Sequence, residues 1–120
     1  MKDDELLQNL ITDLRRGTLV LAVLCLAKEA RYGYSLLQDM ENQGIRIEAN
    51  TLYPLLRRLE TQELLKSEWD VSESRPRKYY ILSGRGESLL VKLKEEWRCL
   101  SQQMSKFVSE EGGNSNESFN

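Results

Sequence analysis

The stretch NTLYPLLRRLETQELLKSEWDVSESRPRKYYIL, residues 50 to 82, restricts the fold more than any other part of the chain. Leu52, Leu55, Leu56 and Leu59 recur at i, i+3, i+4 and i+7, which predicts an amphipathic helix with those four on its core face. The helix is expected to start near Glu48 to Asn50 and to reach about Glu63. Pro54 is tolerated there because it lies near the first turn, where backbone donors lack intrahelical partners. Residues 64–70 and 77–82 then read as two strands around a VSESRP turn, the second of them (Arg77-Lys78-Tyr79-Tyr80-Ile81-Leu82) rich in β-formers. Strand alternation would send Tyr79 and Tyr80 to opposite faces, so one of them belongs to the core. A helix followed by a basic hairpin can set the helix in the major groove of DNA and the ribbon on the phosphates beside it.

Opposite the leucines, the helix presents Asn50, Thr51, Tyr53, Pro54 and Arg57. Such a short, polar and aromatic N-terminal patch suits a helix that enters a groove end-first. Its hydroxyls can meet base edges or phosphates, and Arg57 a phosphate or a guanine. Any surface helix has a polar side, so the patch gains weight only in company with Arg75, Arg77 and Lys78 on the hairpin. Their alternative reading is a solvated charged turn. The formal net charge of −2 becomes +1 when Glu110, Glu111 and Glu117 of the last dozen residues are set aside. Residues 74 to 94 carry six cations against Glu87, and local charge decides phosphate binding.

The rest of the chain reads as helical scaffold. A first helix is expected from about Asp4 to Glu29, with Leu7, Leu10, Leu14, Leu21 and Leu24 in register and Leu19 to Leu26 buried on most sides. Gly17 falls in a gap of that register, either tolerated or admitting a partner helix. After Ala30-Arg31-Tyr32-Gly33 breaks that helix, a short one runs from about Gly33 to Asn42 and stops at Gly44. Ile45-Arg46-Ile47 alternates like a short strand. Ser83 caps a long last helix whose Leu90, Leu93, Trp97, Leu100, Met104 and Phe107 step by 3 and 4. That helix would be about 38 Å long, more than so small a domain needs for itself. The chain therefore divides into a DNA-binding domain with the N-terminal helix (1–83), a dimerisation helix (84–108) and a disordered tail (109–120). The expected dimer interface comprises Leu7, Leu90, Leu93, Trp97, Leu100, Met104 and Phe107.

Composition removes several classes of function. The chain has no histidine, which excludes Ser-His and Cys-His nucleophilic sites and histidine metal ligation. Its seven glycines form no phosphate-binding loop, and its carboxylates are scattered, so no catalytic site, metal or cofactor is expected. Cys25 and Cys99 read as two buried free thiols, with a redox switch at Cys99 beside Arg98 as the sharper alternative. No apolar run approaches the roughly 20 residues a membrane span needs, and the acidic start is unlike a signal peptide. The expected location is the cytoplasm.

The chain resembles the PadR-type winged helix-turn-helix transcriptional regulators. The likeness rests on Leu19 to Leu26 followed by Tyr32-Gly33-Tyr34, on Thr51-Leu52-Tyr53-Pro54 with Arg58-Leu59-Glu60, and on Arg77-Lys78-Tyr79-Tyr80 leading through Leu82-Ser83 to Gly86. It implies a mainly α fold with a small β-hairpin wing, a long C-terminal dimerisation helix, and a homodimeric repressor acting on a pseudopalindromic operator. It also implies that the third helix is the recognition helix, that residues 70 to 78 are the wing, and that Tyr34 and Ser35 face the DNA backbone. In multidrug-sensing members a tryptophan placed like Trp97 stacks flat hydrophobic ligands, for which Leu93, Leu100, Leu10 and Leu14 would be the walls here. Packing at the interface is the alternative role for Trp97. The chain departs from the family at Glu63, where glycine is usual, and in a short wing carrying Pro76. A winged-helix module that dimerises without binding DNA is the competing function, and the pI of 5.3 favours it.

Overall fold

Three carboxylates, Asp3, Asp4 and Glu5, open α1 (Asp3–Leu26) at the positive end of its dipole. The computed structural model describes residues 2–109. After α1 come β1 (Arg31–Tyr32), α2 (Gly33–Asn42), α3 (Ala49–Thr61), β2 (Leu65–Asp70), β3 (Arg77–Leu82) and α4 (Gly84–Val108). The three strands form an antiparallel sheet in the order β1-β3-β2, with Leu65 opposite Leu82, Asp70 opposite Arg77, and Tyr32 opposite Tyr79. Helices and wing match the mainly α, winged-helix architecture expected.

Residues 1–90 make one compact unit. Its core is Val23, Leu24 and Ala27 after and within α1, Leu36 and Met40 of α2, Leu52, Leu56 and Leu59 of α3, and Leu65, Tyr80, Leu82 and Leu90. Leu55 is half-buried at the edge of the α3 stripe. Tyr80 is the tyrosine of the pair that joins the core, while Tyr79 turns outward to donate to Glu68 at 2.8 Å.

Several expectations change. The helix from Asp4 ends at Leu26 rather than Glu29, because the carbonyl of buried Ala27 accepts the Leu82 N–H at 2.9 Å and draws the chain into the sheet. Ile45 to Ile47 is not a strand. Gly44, at φ +85°, closes α2, and the Ile45 amide is spent on the Met40 carbonyl at 2.8 Å. The third strand is Arg31–Tyr32, two residues that carry no readable alternation. Leu90, expected on the dimer seam, is only 3 % exposed and belongs to the core of the 1–90 unit. Gly86 is buried too, so the compact unit extends past residue 83 into the first turns of α4.

Pro54 is the sixth residue of α3, beyond the first turn, and it leaves the Asn50 carbonyl without its helical donor. Beyond Leu90 a second unit begins, whose described part is the helical segment to Val108 followed by Ser109. It presents Leu93, Trp97, Leu100, Met104 and Phe107 to solvent. Cys99 is exposed there, against the expectation of two buried thiols, on a helical segment whose apolar stripe is exposed as well; Cys25 is half-buried, and both are free. The expected disordered tail lies, apart from Ser109, outside the described residues.

Candidate nucleic-acid interface

Three elements of the 1–90 unit carry the residues expected to meet DNA, and side-chain contacts fasten them together. At the start of α2, Tyr34 is 47 % exposed and Ser35 half-buried. Along α3, Asn50, Thr51 and Arg57 are exposed. Tyr53 is half-buried because its ring lies against α2: a methyl group on Gly33 would come within 2.6 Å of it. The glycine is thus what lets α3 pack so close to the N-terminus of α2. Glu48 precedes α3 without a side-chain cap, and its carbonyl accepts from the Thr51 and Leu52 amides, both at 2.9 Å.

The wing has two faces. On the outer one, Tyr32 stacks on Tyr34 with centroids 6.0 Å apart, and the Arg77 guanidinium lies over Tyr32, 4.2 Å from the ring centroid. Arg77 also reaches Glu73 at 3.6 Å, Asp70 at 4.0 Å and the Tyr34 hydroxyl at 3.4 Å. The Tyr32 hydroxyl donates to Asp70 at 2.5 Å. Asp70 accepts as well from the hydroxyl and the backbone N–H of Ser72. Those donors, the Ser72 hydroxyl foremost and then that of Tyr32, hold the Asp70 carboxyl down at about 2. The same bond to Asp70 raises the Tyr32 phenol above its ordinary value.

On the inner face, toward α3, the Lys78 ammonium pairs with Glu60 at 3.4 Å and lies 5.9 Å from the Trp69 centroid and 5.6 Å from that of Tyr80. Glu60 takes a further hydrogen bond from the Ser67 hydroxyl. Burial first, and then the charge of Glu60, pushes the Tyr80 phenol up.

Arg77 and Lys78, expected as open phosphate ligands, are therefore each committed within the chain. The register is responsible, since it sets Arg77 opposite Asp70 and Lys78 opposite Trp69. Arg75 is exposed in the turn. Sequence reasoning missed Asp70, Tyr32 and Glu60 as the partners that organise the wing, and it missed Trp69, 62 % exposed on β2. Alternation along LKSEWD could have shown that Trp69 shares a face with Leu65 and Ser67.

The residues named for a hydrophobic ligand fall on two separate helical stripes. Trp97, Leu93 and Leu100 share one face of α4, and Leu10 and Leu14 are exposed on α1. Within the 1–90 unit a groove of about 970 Å³ lies between α1 and the α2–α3 turn, with a mixed lining of Ile11, Leu19 and Ile47 beside Arg15, Arg46 and Glu48. Among the described residues no acid or cysteine cluster could hold a metal, and no helix is long and apolar enough to cross a membrane.

The chain is similar to known proteins. Residues 20–92 match the sequence profile of the Transcriptional regulator PadR-like family. The chain is 32 % identical to the transcriptional regulator Rv3488 of Mycobacterium tuberculosis, over 69 % of its own length and 78 % of that protein. It is 46 % identical to a PadR family transcriptional regulator of Eggerthella lenta whose crystal structure superposes with a TM-score of 0.81, covering 88 % of this chain and 94 % of that one. Bacillus subtilis PadR, solved in complex with operator DNA, matches at 21 % identity and a TM-score of 0.58, over 62 % of this chain and 45 % of that one. At that identity the likeness is one of fold.

Proposed function

We propose, from the premise that the chain belongs to the PadR-like family of transcriptional regulators, that it is a homodimeric repressor that binds a pseudopalindromic DNA operator. The observation that carries the reading is that side-chain contacts join the three elements expected to meet DNA. Tyr53 packs on Gly33, Arg77 reaches Tyr34, and Lys78 pairs with Glu60, so α2, α3 and the wing keep one geometry. In this reading α3 enters the major groove with Asn50, Thr51 and Arg57 foremost, Tyr34 and Ser35 meet the flanking phosphates, and Arg75 reaches the backbone from the wing tip. B. subtilis PadR, of the same fold, is a protein seen on its operator.

The dimer is supported by exposed leucines on α1 and by the stripe from Leu93 to Phe107 on α4. Apolar surface of that extent is costly to leave in water. Two copies joined through these helices would hold their recognition helices about 34 Å apart, one turn of the duplex. A flat hydrophobic molecule at the seam, stacking on Trp97, would act as inducer if it favoured one spacing over another.

Gel shift and footprinting with the DNA upstream of the protein's own gene test the reading. A protected, twofold-symmetric site bound by a sedimenting dimer is expected. Tight operator recognition by a stable monomer would overturn the dimer, and loss of all duplex binding would leave the protein-interaction reading in its place. For the inducer, a Trp69→Phe variant leaves Trp97 as the sole tryptophan. Its fluorescence should be quenched by a planar hydrophobic dye; an unchanged signal across a dye panel leaves Trp97 as packing.

A further inference from the structure

Trp69 stands out because β-strand register puts a large apolar ring where the fold gives it little cover. It is 62 % exposed, yet it lies on the inner face of the wing, with Ser67 and Lys78, the face that looks onto α3. Along that face, burial decreases from Leu65 through Ser67 to Trp69 as the ribbon extends past the helix. The ring also has a cationic neighbour. Lys78 lies beside it at 5.9 Å and is itself anchored by Glu60 of α3. An exposed indole next to a cation thus lies on the side of the wing that faces α3, the helix assigned above to the major groove.

We propose that Trp69 is a DNA-contact residue, packing its ring on the deoxyribose face of the strand bracketed by α3 and the wing, with its indole N–H directed at a phosphate oxygen. The inference rests on the DNA-binding reading and adds to it a contact of a different kind. An indole carries no charge, so it displaces no counterion. Lys78 is neutralised by Glu60, so its part is to orient the ring. The contact reads the shape of the backbone and holds the wing in register, while sequence is left to α3.

The full chain contains two tryptophans, so Trp97→Phe makes Trp69 the sole emitter. This variant is titrated with a duplex from upstream of its own gene, and binding is followed independently by anisotropy of a labelled strand. Trp69 emission should change and saturate in step with the anisotropy. Trp69→Ala should weaken binding roughly tenfold, to operator and unrelated duplex alike, at unchanged thermal stability and unchanged salt slope. Trp69→Phe should recover most of the loss. Binding by anisotropy with silent Trp69 emission, or wild-type affinity in Trp69→Ala, overturns this inference alone. An emission change that follows protein concentration without DNA overturns it too, in favour of contact with a second copy. Absence of binding to any duplex overturns the DNA reading and this inference together.

Discussion

Arg77 lies over the ring of Tyr32, 4.2 Å from its centroid, while the hydroxyl of that same ring donates to Asp70 on the neighbouring strand. The guanidinium therefore links β3 both to β1 and to the tip of the wing. Arg77→Ala is expected to lower the melting temperature measurably, because it removes the cation–π contact with Tyr32 and the links to Asp70 and Glu73. Operator affinity should fall because the wing loses its angle, with little change in the slope of log K against log salt. Arg75→Ala should instead flatten that slope by about 0.9, as loss of one phosphate contact does. A salt-dependent binding series on both variants separates the roles. A full-unit change in Arg77→Ala would return that residue to the phosphates.

Asp70 makes the wing sensitive to acid. Its folded carboxyl titrates at about 2 against an ordinary 3.8, so the unfolded chain binds the proton more readily. The stabilisation is complete above the ordinary value and is lost as pH falls from about 4 toward about 2. Asp70→Asn should be less stable than the parent at pH 5, and the gap should close across that window. Denaturant unfolding at pH 5, 4, 3 and 2 measures it. A gap that stayed constant would mean that the hydrogen bonds from Ser72 and Tyr32 do not favour the ionised form.

Periodic elements were legible and exceptional ones were not. The α3 leucines and the β3 tyrosines announced their faces because one residue in two, or three in seven, settles which side is buried. Two residues of β1 carry no period, and the Ile45 alternation misled because a helix cap had already claimed its amide. Among the candidate site residues, positions on α3 were readable but commitments across the sheet were not. Arg77 and Lys78 look alike in sequence, yet adjacent residues of a strand face opposite sides. One therefore meets Asp70 and Tyr32, while the other meets Glu60 and Trp69. Leu90 and Leu93 share a heptad seam on paper, but only Leu90 is covered by the core of its unit.

That last difference can be measured. Leu90→Ala should cost about 2–5 kcal/mol at any protein concentration, because it opens a cavity in a filled core. Leu100 is half-exposed in the single chain, so Leu100→Ala should leave the fold itself within about 0.5 kcal/mol of the parent. If the α4 stripe forms the dimer, Leu100→Ala should shift the melting temperature in a concentration-dependent way and move the monomer–dimer equilibrium seen by sedimentation. Concentration-independent melting and an unchanged equilibrium in Leu100→Ala would place the interface elsewhere.

Glu63 carries a strain that glycine would remove. It sits at φ +65°, with its N–H on the Glu60 carbonyl and the next amide, of Leu64, on the Leu59 carbonyl, both at 2.9 Å. That pair of bonds is a complete left-handed helix cap, built on a residue that pays for a Cβ in the wrong region. The compensations are an exposed ion pair with Arg85 at 3.2 Å and a smaller loss of backbone entropy than glycine suffers. Glu63→Gly should nevertheless gain about 0.5–1 kcal/mol, visible as a melting temperature raised by roughly 2–6 °C. A drop would show that the Arg85 pair outweighs the strain.

Two glycines inside helices should respond to alanine with opposite signs. A Cβ at Gly86 would stand 2.2 Å from the carbonyl oxygen of Leu64 and 2.9 Å from the Leu82 side chain. The Leu64 carbonyl is held in place by the Ser83 amide at 3.0 Å, so it cannot swing aside without breaking the bond that ties the β3–α4 junction to the turn before β2. Gly86→Ala should therefore cost about 2–3 kcal/mol despite the better helix propensity of alanine. At Gly17, in the interior of α1, nothing lies within 4 Å of an added Cβ. Gly17→Ala should stabilise the single chain by about 1 kcal/mol through propensity alone. If a second copy packs its helix against Gly17, the added methyl meets that helix, and the same substitution should weaken the dimer even as it strengthens the protomer. Thermal melts over a hundredfold range of concentration separate the two effects: a uniform rise leaves Gly17 facing water, and a rise that reverses at high concentration puts a partner helix there.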